Sequence, residues 1–302
     1  LTEESILERV RRQVVIPRGS GVIVGMGDDC AVFRTPGAKQ DLLFTTDLLV
    51  EGIHFERTMH SPAAVGHKAL ARGLSDIAAM GGEPRFCLVS LALPEWAGAP
   101  WVDRFYAGLL KIAAATRTVV AGGDLSRAPA LTCDIVVAGA APIGSAIRRD
   151  NARVGDSIYV SGRLGGSALG LKTRRGRAWK KHVWPEPRLA LGAYLRKKLH
   201  ATAAMDLSDG LSLDLRRLAI ASKVAAEIDA PPVFPGATLD EALHGGEDYE
   251  LLFTVAAGTR VPPHFEDLPL TRIGIVRRGK TGMVLLSGQP LMPLGYDHFR
   301  RP

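Results

Sequence analysis

Long apolar runs are missing from this chain, and no stretch approaches the roughly 20 consecutive apolar residues that span a bilayer. The first residues, Leu1-Thr2-Glu3-Glu4-Ser5, lack the basic region and apolar core of a signal peptide. The reading is a soluble, cytoplasmic protein with no membrane role. Cysteine is scarce: Cys30, Cys87 and Cys133 are three thiols in 302 residues. They lie far apart without metal-ligand spacing, which argues against a disulfide framework or a zinc site and for reduced, mostly buried side chains. A Walker A loop is missing as well. Gly165 to Thr173 approaches one, but Leu171 intrudes between Gly170 and Lys172. Neither the HRD nor the DFG signature of protein kinases is present. Nucleic-acid recognition motifs are also lacking, so the net charge of +7 does not by itself imply a nucleic-acid partner. The excess charge is local, concentrated between Lys172 and Lys198, and reads as a solvated loop and helix face.

What is present fits a globular α/β protein. The length is comfortable for two domains, and 46% apolar residues with 33 glycines spread through the chain is ordinary for that class. Apolar residues at Ile6, Leu7, Val10 and Val14 predict an opening helix capped by Thr2 or Ser5. Asp41 to Asp47 reads as a buried strand ending in hydroxyls and a carboxylate. Ser61 to Met80 reads as a long helix opened by Ser-Pro, stopped by Gly81-Gly82 and carrying Asp76 near its end. Further strands are expected at Phe86 to Leu93, Thr118 to Ala121 and Leu131 to Ala141, with a helix at Trp101 to Thr116. A composition shift at Gly144 to Asp156 marks an interdomain crossing, placing the domains at residues 1–148 and 149–302. In the second half, strands are expected at Ser157 to Ser161, Ala225 to Ile228, Glu250 to Val255 and Leu270 to Val276. Helices are expected at Pro187 to Lys198 and Asp209 to Ser222.

The informative feature is a set of carboxylates that end apolar segments or sit in glycine turns: Asp28-Asp29, Thr45-Thr46-Asp47, Ser75-Asp76, Gly122-Gly123-Asp124 and Asp206-Leu207-Ser208-Asp209. Any one of them alone is read as an N-cap or turn residue. Gathered at strand ends, where α/β proteins collect ligands, they would repel one another unless cations compensate. Oxygen ligands without histidine or cysteine nearby suit Mg²⁺ better than zinc. The neighbouring glycines allow close backbone approach to phosphate.

The segments GMGDDCAV (25–32), TTDLLVEGIHF (45–55), ALARGLSDIAAMGGEP (69–84), GGDLSR (122–127), MDLSDGLSLDL (205–215), GGEDYELLF (245–253) and GYDHF (295–299) resemble thiamine-monophosphate kinases, in order and over nearly the whole chain. That family belongs to the superfamily of aminoimidazole-ribonucleotide synthetase. The resemblance implies two α/β domains, the N-terminal one binding metal and ATP and giving strands to a β-barrel shared in a homodimer. It implies several Mg²⁺ ions, with ATP and thiamine monophosphate as substrates. It implies metal ligands at Asp29, Thr45, Thr46, Asp47, Asp76, Asp124, Asp206 and Asp209, and puts Tyr106, Gly123, Asp124, Arg149 and Ser208 around ATP. Asp47, Asp124 and Arg149 would carry the catalysis, and His54, Glu247 and Tyr296 would contact the acceptor.

Read from the residues alone, Arg149 is a plausible polyphosphate clamp or a surface ion pair. Tyr106 reads as core on the apolar face of its helix, His54 as a loop histidine and Glu247 as a turn carboxylate. Opposite a cationic, thiamine-like substrate, however, a carboxylate is chemically sensible and an aromatic such as Tyr296 can stack. Some members of the family place a tryptophan shortly before the GYDHF segment, where this chain has Pro293. The nearest rival reading is another ATP-dependent member of the superfamily, an aminoimidazole-ribonucleotide or selenophosphate synthetase. GGEDYELLF and GYDHF favour the thiamine enzyme, and the reactive cysteine expected near the N-terminus of a selenophosphate synthetase is not seen. A basic nucleic-acid-binding protein with a vestigial nucleotide fold is disfavoured by the dense carboxylates, which would repel phosphodiesters.

Overall fold

The computed structural model describes residues 2–299. The first half holds β1 (Val22–Val24), β2 (Ala31–Phe33), β3 (Gln40–Val50), β4 (Glu83–Leu93), β5 (Val119–Arg127) and β6 (Thr132–Pro142), with helices α1 (Glu3–Arg11), α2 (Pro62–Ala79) and α3 (Ala99–Thr116). Its six strands run in the order β1-β2-β3-β6-β4-β5. The second half holds β7 (Ser157–Ser161), α4 (Gly166–Thr173), α5 (Gly176–Val183), α6 (Leu189–Tyr194), β8 (Ala203–Asp206), α7 (Leu211–Ala221), β9 (Ala225–Ile228), α8 (Leu239–His244) and β10 (Leu251–Val255). It ends with β11 (His264–Phe265), β12 (Leu268–Arg277), β13 (Val284–Leu286) and β14 (Gln289–Pro290). These strands form a mainly antiparallel sheet in the order β14-β13-β9-β12-β7-β10-β8, with β11 paired to β12.

Helix α2 is the element on which both halves meet. Ser61 caps it by accepting from the Ala64 N–H, and Pro62 occupies the first turn, where a missing N–H costs nothing. Its alanines and leucines pack on the inner face of the first sheet. Ala78 and Ala79 at its end belong instead to a cluster with Leu191, Leu195, Leu251 and Phe253 of the second half. The helix sits unusually close to α3, because a Cβ at Gly66 would lie 2.0 Å from the Phe105 carbonyl oxygen and one at Gly108 would lie 1.9 Å from that of Ala63.

Several elements depart from expectation. The strand expected to end at Asp47 continues to Val50, because the whole of β3 is paired residue by residue with β6. Side chains alternate along it, so Thr45 and Asp47 face α2 whereas Thr46 faces the other side, where its hydroxyl donates to Asp134 at 2.6 Å. The short strand expected at Thr118 to Ala121 runs on to Arg127. Gly122-Gly123 is therefore not a turn. A Cβ at Gly123 would fall 1.8 Å from the Val89 carbonyl oxygen, so glycine is needed for β5 to lie against β4. The helix expected at Pro187 to Lys198 divides into α6 and a wider π-type turn at Leu195–Leu199. Helix α1, capped by Thr2 and Ser5, does not stay with the first half. Glu4 pairs with Arg216 at 2.9 Å and the Glu3 N–H donates to Asp297 at 3.3 Å.

Gly108→Ala forces α3 away from α2, and about 1–3 kcal/mol of stability should be lost. Gly98→Ala, where a Cβ meets only Pro100 at 3.8 Å, should stay within about 0.5 kcal/mol of wild type. Urea unfolding of both variants measures the difference.

Candidate active site

A cavity of about 820 Å³ lies where α1, the end of β3, α2, the loop after β8, the loop before β10 and the C-terminal segment converge. Of the residues expected from the sequence, Asp47, His54, Asp76, Arg149, Asp206, Ser208, Asp209, Glu247 and Tyr296 line it. Asp29 and Thr45 stand directly behind: oxygens of Asp29, Asp76 and Asp206 lie within 4.8 Å of one another, and the Thr45 hydroxyl donates to Asp76 at 2.5 Å. Thr46, Tyr106, Gly123 and Asp124 do not line it. The pleat explains Thr46 and Asp124, whose strand registers put them on the outer face of the first sheet. Tyr106 packs edge-on against Phe105 beside the first core.

At one end of the cavity the carboxylates dominate. Asp76 is held well above the ordinary carboxylate range by burial and by the charges of Asp47, Asp206 and Asp29. Asp206 is likewise raised, by burial and then by Asp29. Arg149 is the counter-charge: its guanidinium forks onto both Asp29 oxygens, at 3.0 and 2.7 Å, and its backbone N–H donates to Asp28. It is thus a half-buried clamp at the cavity wall rather than the surface ion pair that its position at a domain crossing suggested. Burial and the Asp29 charge push Asp28 up to about 7. Asp209 lies at the mouth against Arg217, which also reaches Asp214. Asp214 accepts from the N–H groups of Asp209 and Gly210 and so fixes that turn. The donor set of Asp29, Asp76 and Asp206 is all hard oxygen, closely spaced and destabilised by its own repulsion, and this fits a divalent cation of the magnesium class.

The opposite end is built by the GGEDYE turn. Glu247 and Tyr249 adopt left-handed backbone, at φ 63° and 50°, a conformation that costs of order 1–3 kcal/mol and persists only where the surroundings enforce it. The Glu247 and Tyr249 N–H groups donate to the Ser208 and Leu207 carbonyls. Alternate side chains then take opposite tasks. Asp248 accepts from the N–H groups of Gly165 and Ser167 at the start of α4, and Glu250 accepts from Ser161, Lys181 and Arg188. Glu247 and Tyr249 line the cavity.

Glu247 meets the fully buried Lys68 at 2.7 Å and His182 at 3.4 Å. Burial works to raise its pKa, but Lys68 and His182 outweigh that and bring it down to about 2. Lys68 also donates to the His54 carbonyl at 3.0 Å. Burial, with Arg72 nearby, lowers His54 to about 3, so the ring is neutral. Tyr296 reaches the cavity because its N–H donates to the Asp209 carbonyl. His298 bridges Tyr296 and His54, with ring centroids 4.9 and 5.1 Å away.

Sequence reading did not single out Lys68, Arg72, Ser167, His182, Tyr249 or the acidic face of α1, of which Glu3, Glu4 and Glu8 line the cavity. The four-residue spacing of Lys68, Arg72 and Asp76 was a usable signal. The basic stretch from Lys172 to Lys181 also acquires a role here. It ends on α5, where Lys181 fastens Glu250, and Trp179 stacks on His182 at 5.3 Å. Lys172 pairs with Glu241 at 3.4 Å, and Arg174, Arg175, Arg177 and Lys180 are exposed.

Lys68→Met leaves Glu247 without its buried partner and should cost about 3 kcal/mol or more. The double variant with Glu247→Gln should lose less than Lys68→Met alone, which a double-mutant cycle by urea unfolding measures. Asp28 and Asp214 both rise from 3.8 to about 7 on folding. Between these values the folded state binds more protons than the unfolded, so these two groups make metal-free stability fall as pH rises from about 4 to about 7. Urea midpoints across that window should show the fall, and Mg²⁺ should reduce it at the upper end.

The chain matches the family model for the AIR synthase related protein N-terminal domain over residues 27–143, and that for the C-terminal domain over residues 153–284. It is 38% identical to the thiamine-monophosphate kinase of Escherichia coli (strain K12), over 93% of both chains. Against that of Bacillus subtilis (strain 168) the identity is 35%, over 93% of this chain and 95% of the relative. Among solved structures, that of AaThiL complexed with AMPPCP and TMP superposes with a TM-score of 0.86 at 33% identity, covering 99% of this chain and 97% of the other. With both domains matched and full-length relatives of one kind, the chain belongs to the thiamine-monophosphate kinase family.

Proposed function

We propose that this protein transfers the γ-phosphoryl group of ATP to the phosphate of thiamine monophosphate, giving thiamine diphosphate and ADP, as the last step of thiamine diphosphate biosynthesis in the cytoplasm. The observation that carries this reading is the polarity of the cavity. A carboxylate cluster suited to metal-bound phosphates lies at one end, and the ionised Glu247, neutral His54 and Tyr296 lie at the other. A substrate with a phosphate and a permanently cationic ring is complementary to both ends. The related structure bound to AMPPCP and TMP, an ATP analogue and, in this reading, the monophosphate acceptor, supports the same pair of substrates.

In this reading an acceptor phosphate oxygen attacks the γ-phosphorus in line with the departing ADP oxygen, with no phosphoenzyme. The acceptor is already ionised, so no strong general base is required. Asp29, Thr45, Asp47, Asp76, Asp206 and Asp209 would hold magnesium, which when bound offsets the repulsion between the two phosphate groups. Arg149 holds Asp29 in place and offers its remaining donors to the polyphosphate, and Ser208 stands at the nucleotide side of the cavity. Glu247, fixed by Lys68, orients the cationic ring, and Tyr296 packs beside it. Thr46, Tyr106, Gly123 and Asp124 complete the nucleotide and metal set outside the single-chain cavity. Two of them, Thr46 and Asp124, share the outer face of the first sheet with exposed Leu48, Leu88 and Val119. That apolar face supports a homodimer in which the sheets of two copies close a barrel.

Incubation with ATP, Mg²⁺ and thiamine monophosphate should yield thiamine diphosphate by chromatography, with none from free thiamine. ATP binding without that product would discard the substrate assignment. Asp47→Asn and Asp124→Asn should each lower turnover by about 100-fold or more while melting within a few degrees of wild type, and wild-type turnover in both at saturating Mg²⁺ would sink the metal assignment.

A further inference from the structure

On α2, Lys68, Arg72 and Asp76 follow one another at four-residue intervals and so stack on one face, with about 6 Å of helix rise between successive members. Each serves a different part of the cavity. Lys68 is fully buried against Glu247 and the His54 carbonyl. Asp76 belongs to the carboxylate cluster. Arg72 lies between them and lines the cavity together with Asp47, His54, Asp76 and Glu247. Its guanidinium donates to Asp47 Oδ1 and to the Leu48 carbonyl, both at 3.0 Å. A guanidinium has five N–H donors. With two engaged, three are left without a protein acceptor among the described residues. The side chain keeps 13% of its surface exposed, and Asp47 is its one ion-pair partner among those residues.

A forked cation with spare donors, one turn from the lysine that holds the carboxylate facing a cationic ring, has the geometry for the anionic end of the same ligand. We infer that Arg72 is a phosphate-binding residue for the acceptor, seating the monophosphate between Glu247 and the metal-binding carboxylates. This rests on the reading of thiamine monophosphate as substrate. Lys68 sets the depth of the seat by fixing Glu247, and the Asp47 contact aims the guanidinium before the ligand arrives. An arginine that served only to balance Asp47 would not distinguish a phosphorylated ligand from its alcohol.

The test is calorimetric titration of thiamine monophosphate and of free thiamine, each in Mg²⁺ without nucleotide, into wild type, Arg72→Gln and Arg72→Lys. Wild type should prefer the monophosphate. Arg72→Gln should lose about 10- to 100-fold of that preference while its affinity for free thiamine holds. Arg72→Lys, which keeps the charge but not the fork, should lose part of it. In turnover the KM for thiamine monophosphate should rise in both variants without a matching rise in the KM for ATP. A wild-type preference in Arg72→Gln, or an equal loss for both ligands, would overturn the inference. Should Arg72→Gln fail to fold, Arg72→Lys, whose charge still balances Asp47, decides by the same criterion. A wild type that binds neither ligand would overturn both the substrate reading and this assignment, whereas failure of Arg72 alone appears only in the variants.

Discussion

Repulsion among Asp29, Asp76 and Asp206 is the constraint around which the rest of this structure is arranged. Their oxygens lie within 4.8 Å of one another in a setting that excludes most water, which would favour neutral acids if the protein offered no other relief. Arg149 clamps Asp29 and Arg72 holds Asp47. Two guanidiniums cannot balance the whole set, and the remaining negative potential is what makes the site receptive to divalent cations and their phosphates. Burial, reinforced by the same field through Asp29, pushes the pKa of Asp28 up to about 7.

The cluster exists because three chain segments from the two halves converge. Asp29 comes from the glycine turn before β2, Asp76 from α2, and Asp206 from the end of β8 in the second sheet. Small residues at the end of α2 allow that convergence, with Ala78 and Ala79 packed among residues of the second core. About three turns toward the start of the helix, charge replaces alanine. Lys68 reaches across to Glu247, so the helix that supplies the acidic end of the cavity also anchors the end that faces the acceptor. The strained GGEDYE turn is held from behind by Asp248 and Glu250, leaving Glu247 and Tyr249 for the cavity.

Much of this was legible in the sequence because the decisive signals are local. Ser61-Pro62 marks the start of α2, Thr2 and Ser5 cap α1, and the apolar run at Ser157–Ser161 is a strand over those same residues. The aspartates could be picked out by their glycine and strand-end settings, and nine of the expected side chains line one cavity. What could not be read depends on pairing. Three further residues of β3 pair with β6 and turn Thr46 away from its neighbours. Gly122-Gly123 has the composition of a turn, yet serves close strand packing, which only the position of Val89 reveals. Arg149 at a domain crossing has the sequence signature of a surface residue, and its partial burial at the cavity wall follows from the packing of the two halves. Lys68 and Arg72 are hidden in a helix whose pattern reads as core, since nothing local says that Glu247, some 180 residues later, folds back onto them.

The most direct test of the central claim is diffraction from crystals grown with Mn²⁺, AMPPCP and thiamine monophosphate, recorded at the manganese edge. Anomalous peaks at about 2.2 Å from carboxylate oxygens of Asp29, Asp76 and Asp206, with the thiamine ring against Glu247, are the predicted result. Metal and nucleotide bound elsewhere, with that cluster empty, would contradict the account.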